Sequence, residues 1–266
     1  MASERRGWFD RLVGRRGDAP KIPDGQRVYA VGDIHGRDDL LASLLSTIRA
    51  HAAMDSGQNC LVFLGDYVDR GPASRAVLER LAGLDLKGWE CVFLRGNHDQ
   101  AVLDFLDDPG VYRVWRGFGA AETLLSYGVR PPRFDDETAF ARTRDEFVEA
   151  CPPRHIEFLR NLRYFYQCGD YVFVHAGLRP GVALDRQSPE DMMWIRDDFL
   201  ASDRDHGSVV VHGHTPAPAP VRRFNRIGID TGAYATGLLT AVILEGAQCA
   251  FLTADTESHL GKKIAI

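Results

Sequence analysis

Short apolar runs that end abruptly in glycine, acid and histidine set the rhythm of the chain. Cys60-Leu61-Val62-Phe63-Leu64 is too short for a buried helix and has the length of a strand covered on both faces. Gly65 breaks it, and Asp66, Asp69 and Arg70 follow at its carboxyl end, where parallel sheets place ligands. Four further runs repeat the arrangement. Val28–Val31 leads into Gly32-Asp33-Ile34-His35-Gly36, and Cys91–Leu94 leads into Arg95-Gly96-Asn97-His98-Asp99. Tyr171–Val174 leads into His175-Ala176-Gly177, and Ser208–Val211 into His212-Gly213-His214-Thr215. All five runs are predicted as strands.

Helical periodicity fills the intervals. Asp38–Ala53 carries Leu40, Leu41, Leu44, Leu45 and Ile48 behind first-turn acids, and Ala73–Ala82 and Asp99–Leu106 follow the next two runs in the same way. This alternation predicts an α/β fold with largely parallel strands. From Asp99 to Tyr171 the rhythm breaks. Helices are predicted over Trp115–Tyr127, Asp135–Ala150 and Pro152–Leu162, a helical insertion at about residues 100–170 that can wall the site. Ser188-Pro189-Glu190-Asp191 signals another helix start, and that helix is predicted to present Trp194 and Arg196. Arg226–Asp230, Leu239–Leu244 and Gln248–Leu252 are predicted as strands closing a second sheet. Residues 26–254 thus form one domain, with 255–266 as a C-terminal tail and 1–25 as an N-terminal tail or arm. Within that arm Trp8, Phe9, Leu12 and Val13 share one helical face.

Composition narrows the classes. A net charge of −5 gives no electrostatic reason to bind nucleic acid or an anionic membrane, so neither partner is expected. No stretch approaches the ~20 apolar residues of a membrane-spanning helix. The five cysteines show no CxxC spacing and suit a reduced, cytoplasmic protein.

Any one of these strand ends is explained by a capping turn in which Asp or Asn binds backbone and glycine takes a positive φ. Five of them favour a different reading. Along one sheet edge they would converge nitrogen and oxygen ligands from five places. Asp33, His35 and Asp66 can hold one cation and Asp66, Asn97, His175 and His214 a second, with Asp66 as the bridge. The donor set suits Mn, Fe or Zn. Such a pair lowers the pKa of a shared water and polarises a phosphoryl oxygen, which arranges direct attack of a bridging hydroxide on a phosphate ester. His98 is placed to protonate the departing oxygen, with Asp69 as its partner, and Arg70 and Arg196 suit phosphate oxygens. His212 is left behind the ligands and Tyr234 at the border of the site, while His51, His155, His206 and His259 read as ordinary surface or helix residues.

The ordered set GDIHG, GDYVDRG, GNHD, HAG, GHTP and IDTGA, from about Val28 to Phe251, resembles the phosphoprotein phosphatase family of calcineurin-like metallophosphoesterases, in particular its bacterial and phage serine/threonine phosphatases. The resemblance implies an α-β-β-α sandwich of two mixed sheets flanked by helices, two divalent metal ions, usually Mn²⁺, and hydrolysis without a covalent phosphoenzyme. It places the family's metal ligands on Asp33, His35, Asp66, Asn97, His175 and His214. Its acid pair falls on His98 and Asp69, and its phosphate contacts on Arg70, Arg196 and Asn97. The implied substrates are phosphoproteins or phosphopeptides carrying phosphorylated Ser or Thr, with Tyr as a further target. GNHD and HAG are also the pattern of symmetrical dinucleoside tetraphosphatases, which makes dinucleoside polyphosphate hydrolysis the alternative. Against it stand Asp69 and Pro216, which those enzymes lack. A catalytically silent scaffold is a third reading, opposed by the complete ligand and acid set.

Overall fold

A computed structural model describes residues 19–54 and 57–256 and the backbone of 262–264. β1 (Gln26–Val31), β2 (Gln58–Phe63) and β3 (Glu90–Phe93) lie side by side and parallel. A second sheet takes β4 (Phe165–Cys168), β5 (Tyr171–Val174), β6 (Val209–His212), β7 (Val221–Arg222) and β8 (Arg226–Gly228), with β5, β6 and β8 mutually parallel. β9 (Leu238–Glu245) and β10 (Gln248–Asp255) do not close this second sheet, as the sequence suggests, but extend the first one, β9 antiparallel to β1 and β10 antiparallel to β9. The reason lies in their side chains. Leu239, Ala241, Val242, Ile243 and Leu244 are all buried, which calls for a strand covered on both faces, and the open edge of β1 takes it, from Arg27 opposite Glu245 to Val31 opposite Ala241.

The period-2 alternation of the strands sorts the layers. Val28, Ala30, Val62, Leu64 and Val92 face inward and pack with Tyr171, Phe173, Val211 and Ile227 of the other sheet. Tyr29, Val31, Leu61 and Phe63 face outward onto Leu40, Leu41, Leu44 and Ile48 of α1 (Asp38–Ala52). Each such fully buried aliphatic side chain contributes about 1.5–3 kcal/mol. On the far face of the second sheet Val172, Val174 and Val210 pack with Met192, Ile195 and Phe199. Two mixed sheets flanked by helices result.

The remaining helices shape the mouth of the site. α2 (Ser74–Ala82) and α3 (Asn97–Asp107) follow β2 and β3. The helix predicted over Trp115–Tyr127 is instead broken into α4 (Tyr112–Trp115), a 3₁₀ turn at Arg116–Phe118 and α5 (Ala120–Ser126). Gly119, at φ 97°, makes the break, and its carbonyl accepts the Arg70 N–H at 3.3 Å. A Cβ at Gly119 would sit 2.7 Å from that nitrogen, so a continuous helix bearing side chains there would exclude the Asp69–Arg70 loop. α6 (Glu137–Ala150) and α7 (Pro153–Arg160) complete the insertion, and α8 (Pro189–Trp194), capped by Ser188, ends two residues short of Arg196.

The N-terminal segment ends as an arm packed on the domain, whereas the expected C-terminal tail needs correction. Ile22 is fully buried and donates its N–H to Gly246, so the end of the N-terminal arm belongs to the domain. Lys262–Ile264 adds β11 to the edge of the first sheet, because β10 there presents unpaired backbone groups. The helical face at Trp8–Val13 and His259 lie outside the described residues. Among the described residues no helix is long and apolar enough to cross a membrane. All five cysteines are free thiols.

Candidate functional site

The loops after β1, β2, β3, β5 and β6 meet at one end of the sandwich, and they come from both sheets rather than from a single sheet edge. Asp66 carbonyl accepts the N–H groups of Ile34 and His35 at 3.1 and 2.8 Å, and His175 carbonyl accepts that of Gly213 at 2.8 Å. Gly65, at φ 105°, and Gly96 bring the second and third loops into contact. A Cβ at Gly65 would lie 2.5 Å from Gly96 nitrogen, and one at Gly96 would lie 2.1 Å from Asp66 Oδ1. Among the described residues five non-glycines have positive φ: His35, Asp66, Asp69, Arg70 and His214, between 45° and 69°. All five are candidate site residues. Such strain persists only where surrounding contacts over-determine it.

Asp66 presents its two carboxylate oxygens to two different histidines, Oδ1 at 3.5 Å from His175 Nε2 and Oδ2 at 3.5 Å from His35 Nε2. His175 Nε2 is also 3.1 Å from Asn97 Oδ1 and 3.2 Å from His214 Nδ1. Behind the rings, His35 Nδ1 donates to Val68 carbonyl at 2.8 Å and His175 Nδ1 to Leu64 carbonyl at 3.0 Å. In the neutral rings that fixes the tautomer. The Nε2 lone pairs then face carboxylate and amide oxygens, acceptor against acceptor, an arrangement a cation resolves. Metal–nitrogen bonds of roughly 2.0–2.1 Å put neighbouring donor atoms about 3–3.5 Å apart, which matches these separations.

The electrostatics agree with a cation site. His35, Asp66 and His98 bring ligand atoms within 4.8 Å of one another, as do Asp66, His175 and His214. Asp33 joins through both oxygens, which accept the His214 N–H at 3.2 and 3.0 Å. Burial, with the charges of Asp230 and Asp66, pushes the Asp33 carboxyl well above its usual range. Burial also raises Asp230 to about 6, with Asp66 adding to the effect. Burial lowers His35 to about 3 and His214 to about 2, which keeps both rings in the neutral form that binds metal. All six candidate ligands are therefore brought together.

His98 stands at the N-terminus of α3, its N–H on Asp66 Oδ1 at 3.1 Å and its Nδ1 2.8 Å from Asp69 Oδ2. Burial lowers its pKa, but Asp66 and Asp69 outweigh that and hold it above the usual histidine value. Arg70 Nη2 lies 3.3 Å from His98 Nε2, and its guanidinium sits 4.7 Å from the centre of the Tyr234 ring. Tyr234 in turn packs edge-on to His35 at 5.4 Å, so it borders the site. Arg196, two residues beyond Trp194 at the end of α8, lies close enough for its charge to act on His175, His214 and Asp230.

His212 is outside the cluster and packs edge-on to Phe199 at 5.1 Å. His155, expected to be ordinary, is fully buried between Tyr127 hydroxyl and Glu79. Trp115, Thr123, Asp99 and Asp230 were not singled out as site residues in the sequence, yet each binds or charges a site residue. For Asp230 the IDTGA motif was the available signal.

A family model described as calcineurin-like phosphoesterase matches residues 26–238. The chain is 35% identical over 156 residues to a symmetrical bis(5'-nucleosyl)-tetraphosphatase of Acidovorax ebreus, covering 58% of this chain and 44% of that protein. It thus spans less than half the length of that relative. It is 29% identical over 231 residues to the asymmetrical bis(5'-nucleosyl)-tetraphosphatase PrpE of Bacillus subtilis, covering 79% of this chain and 87% of the relative. A cold-active protein-tyrosine phosphatase of a psychrophilic Shewanella species shares the fold with a TM-score of 0.56 at 17% identity, over 94% of this chain and 89% of that one.

Proposed function

Since the chain belongs to the calcineurin-like phosphoesterase family, we propose that this metal-dependent phosphoesterase removes phosphate from phosphorylated Ser and Thr side chains of proteins. The observation that carries the reading is the buried pair His98 and Asp69, with Nδ1 2.8 Å from Oδ2. An alkoxide leaving from Ser or Thr needs a proton, and a positioned acid contributes on the order of 10²–10⁴ to its departure. A nucleotide leaving from a phosphoanhydride is already a stable anion and gains little from an acid. An oriented imidazole is therefore most useful against a monoester.

Two divalent cations, Mn²⁺ in our reading, would supply an activated water and a polarised phosphoryl oxygen. Asp33, His35 and Asp66 would hold one and Asp66, Asn97, His175 and His214 the other, with one Asp66 oxygen facing His35 and the other facing His175. Arg70 and Arg196 orient the phosphate, and Asn97 borders it. Arg70 is preset for this by its stacking on Tyr234.

Hydrolysis of dinucleoside polyphosphates is the second reading, favoured by the names of the two relatives. A leaving-group series on the wild-type protein and His98→Asn tests the first reading. The variant is expected to keep its metal, to lose roughly 10²–10⁴ in turnover on phosphoserine peptides and far less on aryl esters with acidic leaving groups. Equal losses on both would remove His98 as the acid and the main argument for a monoester.

A further inference from the structure

Asp69 is held by more than His98. Its Oδ2 also accepts the indole N–H of Trp115 at 2.8 Å, and its Oδ1 accepts the hydroxyl of Thr123 at 2.7 Å. Asp69 and Trp115 are fully buried and Thr123 is nearly so. Neither donor belongs to a motif, and both come from the helical insertion, Trp115 at the end of α4 and Thr123 within α5.

Proton accounting shows how tightly the carboxylate is fixed. The indole N–H can only donate, so its polarity toward Asp69 is set. Thr123 has one hydroxyl proton, and with that on Asp69 Oδ1 it must accept from its other neighbours. Asp69 N–H reaches Thr123 Oγ1 at 2.8 Å, and Ser74 Oγ lies 3.0 Å from the same oxygen, so Ser74 supplies its own proton there. Thr123 therefore grips both the backbone and the carboxylate of a residue at φ 69°. Trp115 is immobilised in turn, packed against Phe105 at 5.0 Å and Phe147 at 6.5 Å.

We propose that Trp115 and Thr123 are positioning residues that clamp the Asp69 carboxylate and, through it, aim His98 for proton transfer to the leaving group. This rests on the reading of His98 as the proton donor. With one donor removed, the carboxylate gains freedom to rotate about its Cβ–Cγ bond, and the His98 ring loses its fixed partner. The helical insertion then does more than wall the site, since it sets the geometry of the acid.

Trp115→Phe keeps the aromatic packing without the N–H, Thr123→Val keeps the shape without the hydroxyl, and Thr123→Ser keeps the hydroxyl. For each, kcat and KM are measured on an alkyl phosphate and on an aryl phosphate with an acidic leaving group, alongside metal content and thermal midpoint. Trp115→Phe and Thr123→Val should retain both metals, lose roughly tenfold in kcat on the alkyl ester at little-changed KM, and lose less than about threefold on the aryl ester. Thr123→Ser should recover most of the alkyl-ester rate. Equal losses on the two esters, or none on either, would overturn the inference, and if Trp115→Phe does not fold the Thr123 pair decides it. A normal leaving-group response in His98→Asn with unchanged Thr123→Val and Trp115→Phe removes this inference alone. The absence of that response in His98→Asn removes the underlying reading as well.

Discussion

Asp99 holds Asp66 by its backbone, with the Asp99 carboxylate accepting the Asp66 N–H at 2.8 Å. The same carboxylate accepts the N–H groups of Gly96 at 2.9 Å and Tyr67 at 3.0 Å. One fully buried side chain thus ties the loop after β2 to the start of α3 and supports the positive φ of Asp66. Asp99→Asn turns one acceptor into a donor that faces a backbone N–H. A destabilisation of about 1–3 kcal/mol is expected, the cost of leaving a buried donor unsatisfied. Urea unfolding measures it, and an unchanged midpoint would count against the brace.

Asp66 offers one oxygen toward each histidine subsite. Asp66→Asn is therefore expected to weaken both metal sites together. Metal content after dialysis of wild type and variant gives the answer, and two ions retained per variant chain would contradict the shared role.

The strand ends were legible in the sequence because their chemistry is local. An apolar run followed by Gly and Asp or His marks both the end of a strand and the residue it delivers, as at Asp33, His35, Asp66, Asn97, His175 and His214. Sheet membership was less accessible. Leu239–Leu244 reads equally well in either sheet, and only the distant edge of β1 selects the first one. The helix predicted over Trp115–Tyr127 breaks at Gly119 because of the contact with Arg70, which no local pattern encodes. Trp115 and Thr123 were hidden for a similar reason. A tryptophan on a helical stripe reads as core, and its N–H acquires meaning only when the fold brings Asp69, 46 residues away, within reach.

His155 gives a pH dependence away from the site. Burial lowers its pKa from the usual 6.5, although Glu79 beside Nε2 opposes the shift. Tyr127 faces Nδ1, and Arg154 and Arg75 add positive charge nearby. The unfolded chain therefore binds a proton at this ring at higher pH than the folded chain does. Stability contributed by the neutral ring is present above pH 6.5 and declines as the pH falls from there toward the lower folded value. His155→Gln should flatten the loss of stability between about pH 7 and pH 5, read from urea midpoints. Parallel slopes for variant and wild type would contradict this.

The most direct test is a side-by-side turnover assay of the Mn²⁺-loaded protein on phosphoserine, phosphothreonine and phosphotyrosine peptides and on diadenosine tetraphosphate, with metal content determined on the same sample. The proposed role of His98, paired with Asp69, as the proton donor predicts faster phosphate release from a phosphoserine or phosphothreonine peptide than cleavage of the dinucleotide. Faster cleavage of diadenosine tetraphosphate would contradict that, and would move the protein to the chemistry named for its relatives.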